Sequence, residues 1–135
     1  MSRLVFIIDD DPVYLEFMKG HFNKMGDYQV DVFPLGDDAL TQLEKRNPYM
    51  IILDHQLLDA VKDGIYYLRK MKKIKPTVPI VYITVNKTEA VKQLALKNGA
   101  KGVIVKSESF LVQLRTSIDE IDNPPKKGIF SRLFK

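Results

Sequence analysis

The stretch Met50-Ile51-Ile52-Leu53-Asp54 constrains this chain more than any other: four large apolar residues in a row end abruptly on a carboxylate. A run with no polar member has no face to give to water, so it reads as a strand covered on both sides, as at the centre of a parallel sheet. Leu4-Val5-Phe6-Ile7-Ile8 and Ile80-Val81-Tyr82-Ile83 read the same way, and Val103-Ile104-Val105 is a shorter version. Val30, Val32 and Phe33 alternate with Gln29 and Asp31, as expected of an edge strand.

Between these runs the apolar spacing turns helical. Leu15, Met18, Phe22 and Met25 form a core stripe after Asp11-Pro12, an N-cap followed by a first-turn proline, and Gly26 stands where that helix should stop. Asp37 or Asp38 is expected to start a second helix carrying Ala39, Leu40 and Leu43, which Pro48 ends. Ile65, Leu68 and Met71 mark a third after Gly64. Asn86, with Glu89 three residues on, predicts a capped fourth helix with Val91, Leu94 and Ala95, stopped by Gly99. Ser107 is expected to cap a fifth, with Phe110, Leu111, Leu114, Ile118 and Ile121 facing inward. Five strands alternating with five helices predict an α/β protein, a doubly wound parallel sheet with right-handed crossovers.

Parallel strands bring their carboxyl ends to one rim, where ligands bind in open α/β sheets. Four of the five runs finish there on Asp9-Asp10, Asp54, Thr84 and Lys106. Clustered carboxylates stay ionised together only if a cation neutralises them. An all-oxygen set suits Mg²⁺, while the absence of cysteine and the presence of two histidines leave thiolate and imidazole metals without ligands. A carboxylate so placed can accept a phosphoryl group, with Lys106 and Thr84 holding the remaining oxygens.

Composition narrows the rest. A chain of 135 residues is read as one globular domain. It has no cysteine, no run of membrane-spanning length and no signal-peptide pattern at its start, so a cytoplasmic protein is expected. The net charge of +4 is local: Lys126, Lys127, Arg132 and Lys135 follow the last acid, Asp122, and residues 1–125 carry seventeen basic and seventeen acidic side chains. A neutral body gives no reason to expect nucleic-acid binding by the domain.

FIIDDDP, IILDHQ, PIVYITVN and KGVIVKS, in this order across roughly residues 3–121, resemble the response-regulator receiver domain of bacterial two-component systems. The resemblance implies a flavodoxin-like five-stranded sheet of order 2-1-3-4-5. It implies that Asp10 binds Mg²⁺ directly, that Asp9 assists, and that Gln56 offers a backbone carbonyl to the metal. Asp54 would receive phosphate from a histidine kinase or phosphotransfer protein and would also lose it by self-catalysed hydrolysis, while Gln56 and Asn86 tune its lifetime. Leu58 stands where the family usually has Pro, Val103 where it has Tyr or Phe, and Ser107 where Pro is frequent. The signal is therefore expected to leave through Thr84 and residues 86–89, without the usual aromatic switch.

Other readings compete. A dehalogenase-type phosphatase would need an acid at Gln56, and a flavodoxin would need hydroxyls, not carboxylates, after the first strand. The serious alternative is a pseudo-receiver that binds proteins without being phosphorylated. His55 is read as a surface residue, His21 as a boundary residue, and Lys70, Lys72, Lys73 and Lys75 as a solvated helix end.

Residues 1–122 are taken as the receiver, acting without a further output domain, and residues 123–135 as a tail opened by Asn123-Pro124-Pro125. Ile129, Phe130, Leu133 and Phe134 share one face of a short basic amphipathic element. Docking into a downstream partner's apolar groove is expected, ahead of an anionic membrane surface or nucleic acid.

Overall fold

The computed structural model describes residues 2–57 and 61–124. Strands β1 (Arg3–Ile8), β2 (Tyr28–Phe33), β3 (Met50–Asp54), β4 (Ile80–Thr84) and β5 (Gly102–Val105) alternate with helices α1 (Pro12–Met25), α2 (Gly36–Lys45), α3 (Gly64–Ile74), α4 (Glu89–Lys97) and α5 (Phe110–Asp122). All pairings are parallel, in the order β2-β1-β3-β4-β5. The sheet is therefore the flavodoxin-like one that the resemblance implied.

The uninterrupted apolar runs are explained by cover on both faces. Phe6, Ile8, Ile51, Leu53, Ile80 and Tyr82 point into one core with residues of α2, α3 and α4. Val5, Ile7, Met50, Ile52, Val81 and Ile83 point into the other with Leu15, Met18 and Phe22 of α1 and Phe110, Leu114 and Ile118 of α5. Each fully buried aliphatic or aromatic side chain here contributes about 1.5–3 kcal/mol. A strand that must supply both cores has no position to spare for a polar residue.

The first helix starts and stops as expected: the Asp11 side chain accepts from the Val13 amide at 2.9 Å, Pro12 opens the helix, and Gly26 leaves it at φ 69°. Three other starts differ from expectation. α2 begins at Gly36, so Asp37 and Asp38 sit in its first turn and do not cap it. The Tyr67 ring lies so close over Gly36 that a Cβ there would meet it at 2.4 Å, and the Tyr67 hydroxyl donates to Asp37 at 2.8 Å. α4 is preceded by Thr88, because Asn86 spends its side chain on a turn, accepting from the Thr88 amide at 2.8 Å. α5 is preceded by Ser109, and Ser107 contributes its backbone carbonyl to the Phe110 amide.

Within α4, Ala95 is buried and Leu94 is 40% exposed, so the inward face is narrower than the spacing suggests. The lysine run is also less free than a solvated helix end: Lys72 donates to the Val78 carbonyl and Lys75 to Asn47. His21 is half-buried, as a boundary residue should be. At the far end of the sheet, Asp122 accepts from Arg3 of β1, Tyr28 of β2 and Tyr49 just before β3, and ties the end of α5 to the starts of these strands. No helix among the described residues is long and apolar enough to cross a membrane.

Candidate active site

The strand ends meet at one rim. Asp9 follows β1, Asp54 ends β3, Thr84 ends β4 and Lys106 follows β5. Backbone bonds pin them: the Asp9 amide donates to Phe33, the His55 amide to Ile83 and the Lys106 amide to Thr84. Asp9, Asp54 and Thr84 are buried, and only 5% of the Lys106 side chain is exposed. Asp10 is half-buried, and one carboxylate oxygen from each of Asp9, Asp10 and Asp54 lies within 4.8 Å of the others.

The Lys106 ammonium stands 2.8 Å from Asp9 Oδ2 and 3.2 Å from Asp54 Oδ1. Those two buried oxygens have no well-aligned hydrogen-bond donor beyond this ion-pair contact. Asp9 Oδ1, by contrast, accepts from the Asp11 amide at 2.9 Å.

Burial pushes the Asp54 carboxyl up to about 7, and the neighbouring Asp9 carboxylate pushes in the same direction against the pull of Lys106. Asp9 is also raised, chiefly by burial, with Lys106 opposing. For Lys106, burial favours the neutral amine, but contacts with Asp9 and Asp54 outweigh it and raise the ammonium above its ordinary value. One monovalent cation is thus shared among three carboxylates that repel one another. The donor set is all oxygen, two of its oxygens meet only the Lys106 ammonium, and the excess charge is negative, which together fit a divalent hard cation.

Around the site, Gln56 is exposed, and Asn86 is half-buried with its amide donating to Thr84 Oγ1 at 2.9 Å. His55 is not the free surface residue expected from its position: its Nδ1 is hydrogen-bonded to the hydroxyl of Tyr82, which is fully buried. Tyr82 pairs in register with Val103 and points into the same core, so the aromatic bulk absent from β5 is carried by β4. Burial, with Asp63 and Asp54 nearby, raises the Tyr82 phenol well above its ordinary range and keeps it protonated. The ring of Tyr14, from the first turn of α1, lies beneath the Lys106 ammonium at 4.2 Å. Neither tyrosine has a local sequence signal for such a role. The four apolar residues of the tail, Ile129, Phe130, Leu133 and Phe134, fall outside the described residues, as does Leu58.

Gly64 brings the start of α3 against the phosphoacceptor candidate. A Cβ on it would meet Tyr82 Oη at 2.4 Å, the Asp54 carbonyl oxygen at 2.5 Å and His55 Cα at 2.7 Å. Two of these are backbone atoms and cannot swing aside. Gly64→Ala is expected to cost about 1–3 kcal/mol in urea unfolding through overpacking; an unchanged midpoint would show that the α3 start has slack.

The chain matches the family model of the response regulator receiver domain over residues 5–118. Among solved structures it is similar to a putative response regulator from Chloroflexus aurantiacus, at 24% identity and TM-score 0.80, covering 90% of this chain and 98% of that one. A CheY-like response regulator receiver domain protein from Methanospirillum hungatei gives 22% identity and TM-score 0.80, covering 90% and 95%. A response regulator protein from Burkholderia pseudomallei, solved with a phosphorylated aspartic acid, a calcium ion and citrate, gives 20% identity and TM-score 0.74, covering 91% and 76%. At these identities the structural likeness speaks for the fold.

Proposed function

Because this chain belongs to the response regulator receiver domain family, we propose that it accepts a phosphoryl group on Asp54 from a histidine kinase or phosphotransfer protein and passes the signal on by protein contact. The observation that carries this is the buried Asp54 carboxylate, 3.2 Å from the Lys106 ammonium at the rim where Asp9, Asp10 and Thr84 also lie.

In the proposed reaction an Asp54 oxygen attacks phosphorus while the bond to the donor breaks, its electron pair leaving with the donor's imidazole or acetate. Asp54 reacts as the carboxylate, the form that its burial beside Asp9 disfavours. Asp10 and Asp54 would hold Mg²⁺ together with the Gln56 carbonyl, and Asp9 would support it. Bound there, the ion supplies neutralising charge for both the nucleophile and the phosphoryl oxygens. Lys106 and the Thr84 hydroxyl hold the oxygens that develop charge, so the protein's contribution is positioning and electrostatics. Gln56 and Asn86 would tune the lifetime of the acyl phosphate. The cysteine-free composition accords with reaction in the cytoplasm.

The test is intact-mass analysis after incubation with acetyl phosphate. The wild type should gain one phosphoryl group only when Mg²⁺ is present, and Asp54→Ala none. A wild type that stays unmodified with acetyl phosphate and with kinase-derived phosphodonors would favour the pseudo-receiver.

For output we propose the tail, residues 123–135, on the apolar face of Ile129, Phe130, Leu133 and Phe134 amid basic residues. Deleting it should leave Asp54 phosphorylation unchanged and abolish binding to the downstream partner. Retained binding in a pull-down of that partner would remove the tail from the output route.

A further inference from the structure

We infer that Tyr14 is a positioning residue for phosphoryl uptake, its ring face holding the Lys106 ammonium in place over Asp9 and Asp54. The inference rests on the phosphoacceptor assignment of Asp54 and extends it to a residue with no polar atom in the reaction.

The ammonium is almost wholly removed from water, with 5% of the Lys106 side chain exposed. It has two carboxylates on one side, at 2.8 and 3.2 Å, and the Tyr14 ring on another, its centroid 4.2 Å away. A desolvated ammonium over a ring face is the geometry in which the cation–quadrupole attraction is largest.

Two further observations show that the ring is held there. Tyr14 stands edge-to-face against Phe110 of α5, with centroids 5.6 Å apart, and against Phe17 of its own helix at 6.2 Å. Its place along the chain is fixed by the acidic loop itself: the Asp11 amide donates to Asp9, the Asp11 carboxylate caps α1, and Pro12 opens the helix. The segment that supplies the carboxylates therefore also supplies the ring.

The role follows from what changes during the reaction. A cation at the acidic cluster competes for Asp9, and phosphorylation turns Asp54 from a carboxylate into an acyl phosphate. Both anionic partners of Lys106 are thus altered as the site is loaded. The ring face is altered by neither, and it keeps the ammonium desolvated and in reach of the phosphoryl oxygens throughout. An aliphatic residue at position 14 would fill much of the same volume without that attraction.

Three full-length variants test this: Tyr14→Phe, which keeps the ring and loses the hydroxyl, and Tyr14→Leu and Tyr14→Met, which keep apolar bulk and lose the ring. Initial rates of phosphoryl uptake from acetyl phosphate with Mg²⁺ should fall about tenfold in the Leu and Met variants, the scale of a desolvated cation–ring contact. Tyr14→Phe should restore most of the rate. In carbon-detected NMR the Lys106 Cε resonance, shielded by the ring in the wild type and in Tyr14→Phe, should move downfield in Leu and Met. Equal losses in all three variants would mean packing or the hydroxyl matters and overturn the inference, as would wild-type rates in the Leu and Met variants. If the Leu and Met variants do not fold, the wild-type and Tyr14→Phe spectra decide: an unshielded Lys106 Cε overturns it. Failure of the phosphoacceptor reading is distinct, since there the wild type itself takes up no phosphate.

Discussion

Without divalent cation, the protein should lose stability as pH rises from about 4 to about 7, and Asp54→Asn should remove most of that slope. The Asp54 carboxyl titrates near pH 7 in the folded chain, through burial and the adjacent Asp9, against about 4 when unfolded. Between those values the folded state binds the extra proton, so raising the pH favours unfolding. The contribution is fully present below the unfolded value and lost through the folded one, and it amounts to about 2–4 kcal/mol. Asp9, also raised by burial, acts in the same direction. His21 acts oppositely: burial, with Arg115 and Lys24 nearby, lowers it, so its contribution appears as pH rises through the ordinary histidine range. Urea unfolding of wild type and Asp54→Asn from pH 4.5 to 8 separates these terms. At pH 8 the variant should be the more stable without metal, and millimolar Mg²⁺ should narrow the gap by binding only folded wild type. Parallel profiles for the two proteins would show that Asp54 is not the strained group.

Lys106→Met should lower the rate of phosphoryl uptake about 10²–10³-fold, the usual loss when one preorganised charge is taken from a transferring oxygen. Its second effect has the opposite sign. With the ammonium gone, Asp9 and Asp54 lose the cation now 2.8 and 3.2 Å away, and a divalent ion no longer competes with it. Mg²⁺ affinity should rise while activity falls, which isothermal titration and the uptake assay read on the same sample. Weaker Mg²⁺ binding together with slow uptake would indicate collapse of the site, not loss of one charge.

Much of the fold was legible because burial on both faces leaves a local mark. Ile51, Ile52, Phe6, Ile7 and Val81 are apolar in succession, and the polar residues that break the runs, Asp9, Asp54, Thr84 and Lys106, are those gathered at the rim. What local pattern could not supply was the choice between equally suitable partners. Asn86, Ser107, Asp37 and Asp38 all have capping side chains, yet Asn86 closes a turn onto Thr88 and Asp37 is taken by Tyr67 from another helix. His55 has the composition of a surface residue and is drawn inward by a tyrosine 27 positions away. Tyr14 looks like any first-turn aromatic until β5 brings Lys106 over it. The contacts of Asp37, His55 and Tyr14 join elements distant in the chain, so periodicity, which reports only neighbours, carries no trace of them.

The central claim is that the carboxylate of Asp54, among three crowded at the rim, is the one that takes the phosphoryl group. Borohydride reduces an aspartyl phosphate to homoserine, a stable side-chain mark on the acceptor residue that mass sequencing can find. After incubation with acetyl phosphate and Mg²⁺, homoserine is expected at position 54 and nowhere else, and it should vanish when the metal is chelated. Homoserine at position 9 or 10, or the same yield at 54 without metal, would contradict the account.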